Sequence, residues 1–213
     1  MLRKVICAAL WCAGCVSLVH AQTAEPPRFT FDVGGGFTQP LGHLDGRIDT
    51  GWNIQAGAGV NIVPWLGVMA QFMYNEAGLN GSFLQSIGQP DGNFRLWGFS
   101  LDPIVHLNPR GHVDFYLIGG PGIYRRTVEF TQPTVATVTA FDPFFGYFYP
   151  INVPANQVIG SFSTTKFGMN GGGGLSFRLG HGNAKLFAEA RYIKMYTQGT
   201  STSLLPVTFG FRF

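Results

Sequence analysis

The stretch Val207-Thr208-Phe209-Gly210-Phe211-Arg212-Phe213 decides the fold. Side chains alternate across an extended strand. Val207, Phe209, Phe211 and Phe213 therefore share one face, and Thr208, Gly210 and Arg212 share the other. Seven segments upstream repeat this period of two, the signature of strands. In residues 28–37, Phe29, Phe31, Val33 and Phe37 oppose Arg28, Thr30, Asp32, Gly34 and Gly36. Residues 50–62, 66–75, 94–107, 113–126, 166–179 and 185–196 follow the same rule, and 205–213 completes the set. Pro103 interrupts the fourth segment, where a bulge or local break is expected.

The segments run about nine to fourteen residues. A membrane-crossing strand needs about 9–11 residues, whereas strands in globular proteins average about 5–6. Long connections (38–49, 76–93, 127–165 and 197–204) alternate with short ones (63–65, 108–112 and 180–184). That alternation belongs to an up-and-down barrel with surface loops at one end and periplasmic turns at the other. An even number of strands closes the sheet and leaves lipid no unpaired edge. The expected fold is all-β, an eight-stranded antiparallel up-and-down transmembrane β-barrel over residues 28–213. A secreted β-sandwich or a lipocalin-like barrel is the rival. Strand length, charges on the minority face and the phenylalanine-ended last segment favour the membrane barrel.

Composition agrees. Charged residues make up 12% of the 213 and hydrophobic ones 46%, against about 25% charged in a soluble domain. Such a chain is too apolar for disorder, and its 30 glycines lack collagen's strict spacing. A net charge of +3 excludes the dense basic stripe that nucleic acid requires. Residues 1–21 read as a signal peptide: Arg3 and Lys4, an apolar run over 5–19, then small residues before Gln22. A short periplasmic segment, 22–27, follows. Cys7, Cys12 and Cys15 all fall in the leader, so the mature chain is exported without a disulfide. Removing Arg3 and Lys4 from 14 Lys and Arg, against 11 acids, leaves a mature net charge of about +1.

The chain resembles the small bacterial outer-membrane β-barrels of the OmpA/OmpX-like type. The closing Val207 to Phe213 stretch looks like their C-terminal assembly signal, with Phe209, Phe211 and Phe213 in step. Leu186-Phe187-Ala188-Glu189-Ala190-Arg191-Tyr192 and the glycine-rich segment from Tyr116 to Arg126 look like their strands. The resemblance implies a bacterial outer-membrane location, with lipid bilayer and lipopolysaccharide as surroundings. It also implies that the barrel-assembly machinery reads the terminal aromatic. The aromatic 127–165 connection departs from that pattern.

Candidate chemistry begins in the lumen. Arg28, Arg178, Arg191 and Arg212 share the inward parity with Asp32, Asp102, Asp114 and Glu189. Eight strands leave an interior that side chains just fill. The expectation is a charged plug, with Arg191 bridged by Glu189 and by Asp32 or Asp102. A narrow path for ions or small solutes is the alternative. The glycine runs at 34–36, 119–122 and 171–174 lack the helix that a phosphate loop requires and read as room to bend. His106, His112 and His181 sit at turns, without zinc spacing. A lipid-modifying hydrolase would have to combine His43, near Asp45 and Asp49, with Ser82, Ser86 or Ser161. No metal, cofactor or catalytic role is expected. Phe141, Phe144, Phe145, Tyr147, Phe148 and Tyr149 crowd ten residues of the 127–165 connection. They read as a surface for an extracellular ligand, or as strands continuing above the membrane with a tip packed on itself. Trp52, Trp65, Tyr74, Tyr192 and Tyr196 near segment ends fit aromatic girdles.

Overall fold

Alternation is realised as a closed ring. The computed structural model describes residues 28–180, 183–196 and 201–213. The signal peptide 1–21, the 22–27 segment and His181 lie outside these. The strands are β1 (Phe29–Leu41), β2 (Gly51–Val63), β3 (Leu66–Gly78), β4 (Asp91–His106), β5 (Val113–Asp142), β6 (Tyr147–Arg178), β7 (Lys185–Met195) and β8 (Thr202–Arg212). Each pairs antiparallel with its neighbours in order, and β1 pairs with β8 to close the barrel. Phe31 and Phe213 exchange both backbone hydrogen bonds at the seam, at 3.0 and 2.8 Å.

The apolar face points outward. Phe31, Phe99, Leu101, Ile123 and Phe209 are each more than half exposed, while Asp32, Gln55, Gln71, Asn75, Asp102 and Thr208 are buried. A core of this kind is inverted, and only an apolar surrounding satisfies it. The interior also holds large apolar side chains. Met69, Ile104, Tyr116 and Ile118 form one cluster. Phe94, Leu96, Tyr124, Ile193, Met195 and Leu204 form a second, joined at the loop end by Ile48, Leu79 and Leu84. Inward glycines make room for the rings. A Cβ on Gly174 would stand 2.5 Å from the Tyr116 hydroxyl, closer than real Cβ atoms come.

At the loop end, β1 runs on to Leu41 and a 3-10 turn (Gly42–Leu44) follows, so the 38–49 connection is shorter than expected. The 76–93 connection likewise shrinks, because β3 extends to Gly78 and β4 starts at Asp91. Between them lies a single helical turn, α1 (Gly81–Ser86), whose Asn80 side chain accepts from Ser82 N at 3.0 Å. The two loops are tied together by the Ile48–Leu79 bridge and by Asn80 Nδ2 donating to Asp49 Oδ1 at 2.8 Å. In the 197–204 connection, Thr202 to Leu204 belong to β8, and 197–200 lie outside the described residues.

The 127–165 connection is a hairpin, as the second of its two readings expects, and it holds far more strand than loop. β5 and β6 pair all the way up to Asp142 opposite Tyr147, leaving a turn of only residues 143–146. The β-branched run Thr134-Val135-Ala136-Thr137-Val138-Thr139 favours strand. Both faces of this ribbon meet solvent, so polar and apolar residues need not alternate there. Pro133, Pro150 and Pro154 all fall on alternate rungs of one class. In that class the missing N–H faces the ribbon's open edge, where it breaks no ladder bond.

Pro103 makes no bulge. Residues on either side of it hold the same register with β5, and the ladder merely lapses where Pro103 and Pro121 face the gap. Register shifts occur instead at Asn61/Val63 and at Phe130/Thr131.

Candidate functional site

The charged centre of the barrel is built across its seam. Asp32 on β1 stands directly opposite Arg212 on β8, so both point inward. Arg212 Nη2 donates to Asp32 Oδ2 at 2.9 Å and lies 3.7 Å from Glu189 Oε2. Its guanidinium covers the rings of Tyr116 (4.5 Å) and Phe187 (5.0 Å), a favourable stacking for a desolvated cation. On β7, Glu189 and Arg191 are two apart and face the same way. Arg191 Nε donates to Glu189 Oε1, and Arg191 Nη1 donates to Asp102 Oδ2 at 2.8 Å. Arg191 and Arg212 are both at least 97% buried.

Uncharged groups add donors to the carboxylates, while Asp32 Oδ1, Arg191 Nη2 and Arg212 Nε and Nη1 have no hydrogen-bond partner among the described residues. Tyr116 donates to Glu189 Oε2 at 2.9 Å. Asn170 Nδ2 and Ser100 Oγ donate to Asp102 at 2.8 and 2.7 Å, and Gln71 Nε2 donates to Asp32 Oδ2 at 3.2 Å. Desolvated charges are tolerable only with partners of this kind. Above them, Asn53, Thr38, Asn75 and Thr208 form an uncharged network that begins with Thr208 donating to Asn53 at 2.8 Å.

Three of the eight inward charges expected from parity, Arg28, Arg178 and Asp114, fall outside the central cluster. Arg28 is exposed at the rim, where β1 has not yet begun. Arg178 is half-buried at the end of β6, opposite Lys185, and makes no ion pair among the described residues. Asp114 forms a separate pair with His106 Nδ1 at 2.5 Å and accepts from Asn108 N at 3.0 Å, near the short turns. Asp32 serves Arg212 and not Arg191, whose second partner is Asp102. The lumen cluster thus comprises Asp32, Asp102, Glu189, Arg191 and Arg212. Parity alone did not single out Tyr116, Asn170, Ser100 and Gln71. Their signal was an inward position on strands whose neighbours carry carboxylates.

The gaps between the interior side chains are narrow. The gap between Gln71, Met73, Gly98, Tyr124, Asn170 and Arg191 is too small for a water molecule. The gap between Thr38, Ile48, Asn75, Phe94 and Leu204 is equally tight. At the terminal end, a cavity of about 20 Å³ between His106, Lys185, Arg212 and Phe213 is no larger than one water needs.

The second candidate site is the β5–β6 tip. Phe144 is 88% exposed and Phe148 70%, while Phe141, Phe145, Tyr147 and Tyr149 are also exposed. The rings touch one another: Phe141 with Phe148 at 5.0 Å, Phe144 with Phe145 at 5.1 Å and Tyr147 with Tyr149 at 6.0 Å. Asp142 Oδ1 accepts from the backbone N–H of Phe144 and Phe145 at 2.9 and 3.2 Å, and Gly146 takes φ +71 to close the turn. The strands do continue, and the tip does pack on itself, yet the rings remain open to solvent.

Phe209, Phe211 and Phe213 stand about half exposed on the outer face of β8. Trp52 packs on Tyr74 at 5.4 Å at the loop-side rim. Ser82 donates to Asn80 and Ser86 to the Phe83 carbonyl. No histidine–serine hydrogen bond and no cluster of three metal-ligating residues occurs among the described residues.

Residues 8–213 match the sequence model of the family described as outer membrane protein beta-barrel domain. No curated protein matches the chain. Among solved structures, the chain is similar to neisserial surface protein A (15% identity, 87% of this chain, 96% of that one, TM-score 0.54). It is also similar to a major outer membrane protein of Thermus thermophilus (13%, 87% and 97%, TM-score 0.53). A third likeness is to Ail of Yersinia pestis, solved in complex with the heparin analogue sucrose octasulfate (16%, 88% and 100%, TM-score 0.47).

Proposed function

We propose that this chain, which belongs to the outer membrane protein beta-barrel domain family, is a closed barrel that presents one long hairpin as a contact surface. The bacterial outer membrane is its location. The barrel is the stand: its ion pairs and apolar layers fill the lumen and leave no continuous path. The observation that carries the reading is the hairpin. The last rung between β4 and β5 joins Asp91 to Thr131, and β5 continues for eleven residues beyond it, to Asp142. At about 3.3 Å per residue that is roughly 35 Å of projecting ribbon. An isolated two-stranded ribbon gains little stability from itself. Its length therefore has no use to the barrel and points to a role outside it. On this reading lipid and lipopolysaccharide surround the wall, and the assembly machinery reads Phe213 with Phe209 and Phe211.

Adhesion tests it. Cells producing the intact chain should retain a bound surface, protein or glycan better than cells whose residues 133–156 are replaced by Asn-Gly, at equal barrel levels. Equal retention by both would contradict the role given to the hairpin.

A further inference from the structure

We propose that the β5–β6 tip docks on the headgroup boundary of an apposed zwitterionic phospholipid bilayer, an inference that rests on the hairpin being the contact surface. Charge supports this choice of partner. Between Glu129 and Lys166 the chain carries one charged residue, Asp142, and one oxygen of its carboxylate accepts from both N–H groups of the turn. A single carboxylate and no cation give a charged ligand little to bind at the tip. Arginine, a common anchor of protein interfaces, is absent from the ribbon.

The tip's surface matches the barrel wall. Phe144, Phe145 and Phe148 are each exposed to a greater degree than Phe31 or Phe99 of the membrane-facing band. Tyr147 and Tyr149 lie on one side of β6 just below the turn. Phenylalanines ahead and tyrosine hydroxyls behind suit a bilayer interface, where the ring is apolar and its polar end stays wet. Ring contacts and the Asp142-closed turn hold the anchors in place before binding, which lowers the ordering cost. The tip also stands beyond the Debye length of about 8 Å from the Arg95–Glu76–Glu129 charges at the barrel rim.

A second copy of the chain is the other natural occupant of an exposed ribbon, by pairing at its edges. Here the edges are blunted. Pro133 on β5 and Pro150 and Pro154 on β6 remove donors from both open edges. The ribbon is therefore suited to contact by its tip.

The test uses the full chain in phosphatidylcholine nanodiscs mixed with separate phosphatidylcholine vesicles, read by co-flotation. The expected result is co-flotation above that of empty discs, changing less than about twofold between low and high salt. The double variant F144S/F145S should bind at least about tenfold more weakly while keeping the intact barrel's heat resistance. No co-flotation, or co-flotation unaffected by the double substitution, overturns the proposal. Loaded discs that pair with one another but bind neither empty phosphatidylcholine discs nor vesicles make a second copy the occupant and also overturn it. Cells carrying the shortened hairpin separate the two levels. If they lose adhesion while vesicles are never bound, the contact role survives and the lipid partner does not.

Discussion

Tyr116 on β5 reaches Glu189 on β7 across a whole strand, at 2.9 Å, by passing over Gly174. The three residues form one row, Tyr116 opposite Gly174 and Gly174 opposite Glu189. A side chain at 174 would occupy the place of the tyrosine hydroxyl. Gly174→Ala should therefore displace Tyr116 and lower stability more than Tyr116→Phe does. The latter removes one hydrogen bond to a charged group, about 1.5–3 kcal/mol. Urea unfolding in vesicles measures both. A Gly174→Ala barrel as stable as the wild type would show that the row does not hold.

Arg191 is the second test. It serves Glu189 and Asp102 from a fully desolvated position. Arg191→Ala strands two carboxylates and should cost about 3–5 kcal/mol. Adding Asp102→Asn and Glu189→Gln should recover part of the loss, because no unpaired charge then remains. Arg178→Ala, outside the cluster, should change the same midpoint by less than about 0.5 kcal/mol.

The outward face makes a third prediction. Leu101 is mid-strand and more than half exposed, so lipid meets it. Leu101→Arg should destabilise the folded barrel by about 2–4 kcal/mol in unfolding measurements. In a soluble protein an exposed leucine would tolerate arginine almost freely.

The hairpin above the barrel should be dispensable to it. Replacing residues 133–156 with Asn-Gly should leave the unfolding midpoint within about 0.5 kcal/mol. Its strands meet no third strand beyond Thr131 and Gly168. A large loss would mean that the ribbon braces the barrel.

These predictions draw unequally on the sequence. Strand parity was legible because lipid and lumen demand opposite side chains, and Phe209 with Arg212 already shows that contrast. It stopped being legible above Thr131, where both faces of the ribbon meet water and the demand disappears. Inward parity also marked Asp32, Asp102, Glu189, Arg191 and Arg212, but their pairing depends on register. Asp32 and Arg212 meet only because the first and last strands close at that offset. Arg28 and Arg178 have the same parity and miss the cluster because they sit at strand ends. The apolar layer of Leu96, Ile193 and Met195 was hidden for another reason. Apolar residues on both faces of a strand erase the contrast that parity relies on.

The filled lumen proposed for this barrel is open to direct measurement. The direct measurement is single-molecule conductance of the purified full chain in planar bilayers. A lumen filled by ion pairs and apolar side chains should give no steady conductance across the voltage range. A reproducible open level carried by folded barrels, present also in the shortened-hairpin variant, would contradict it.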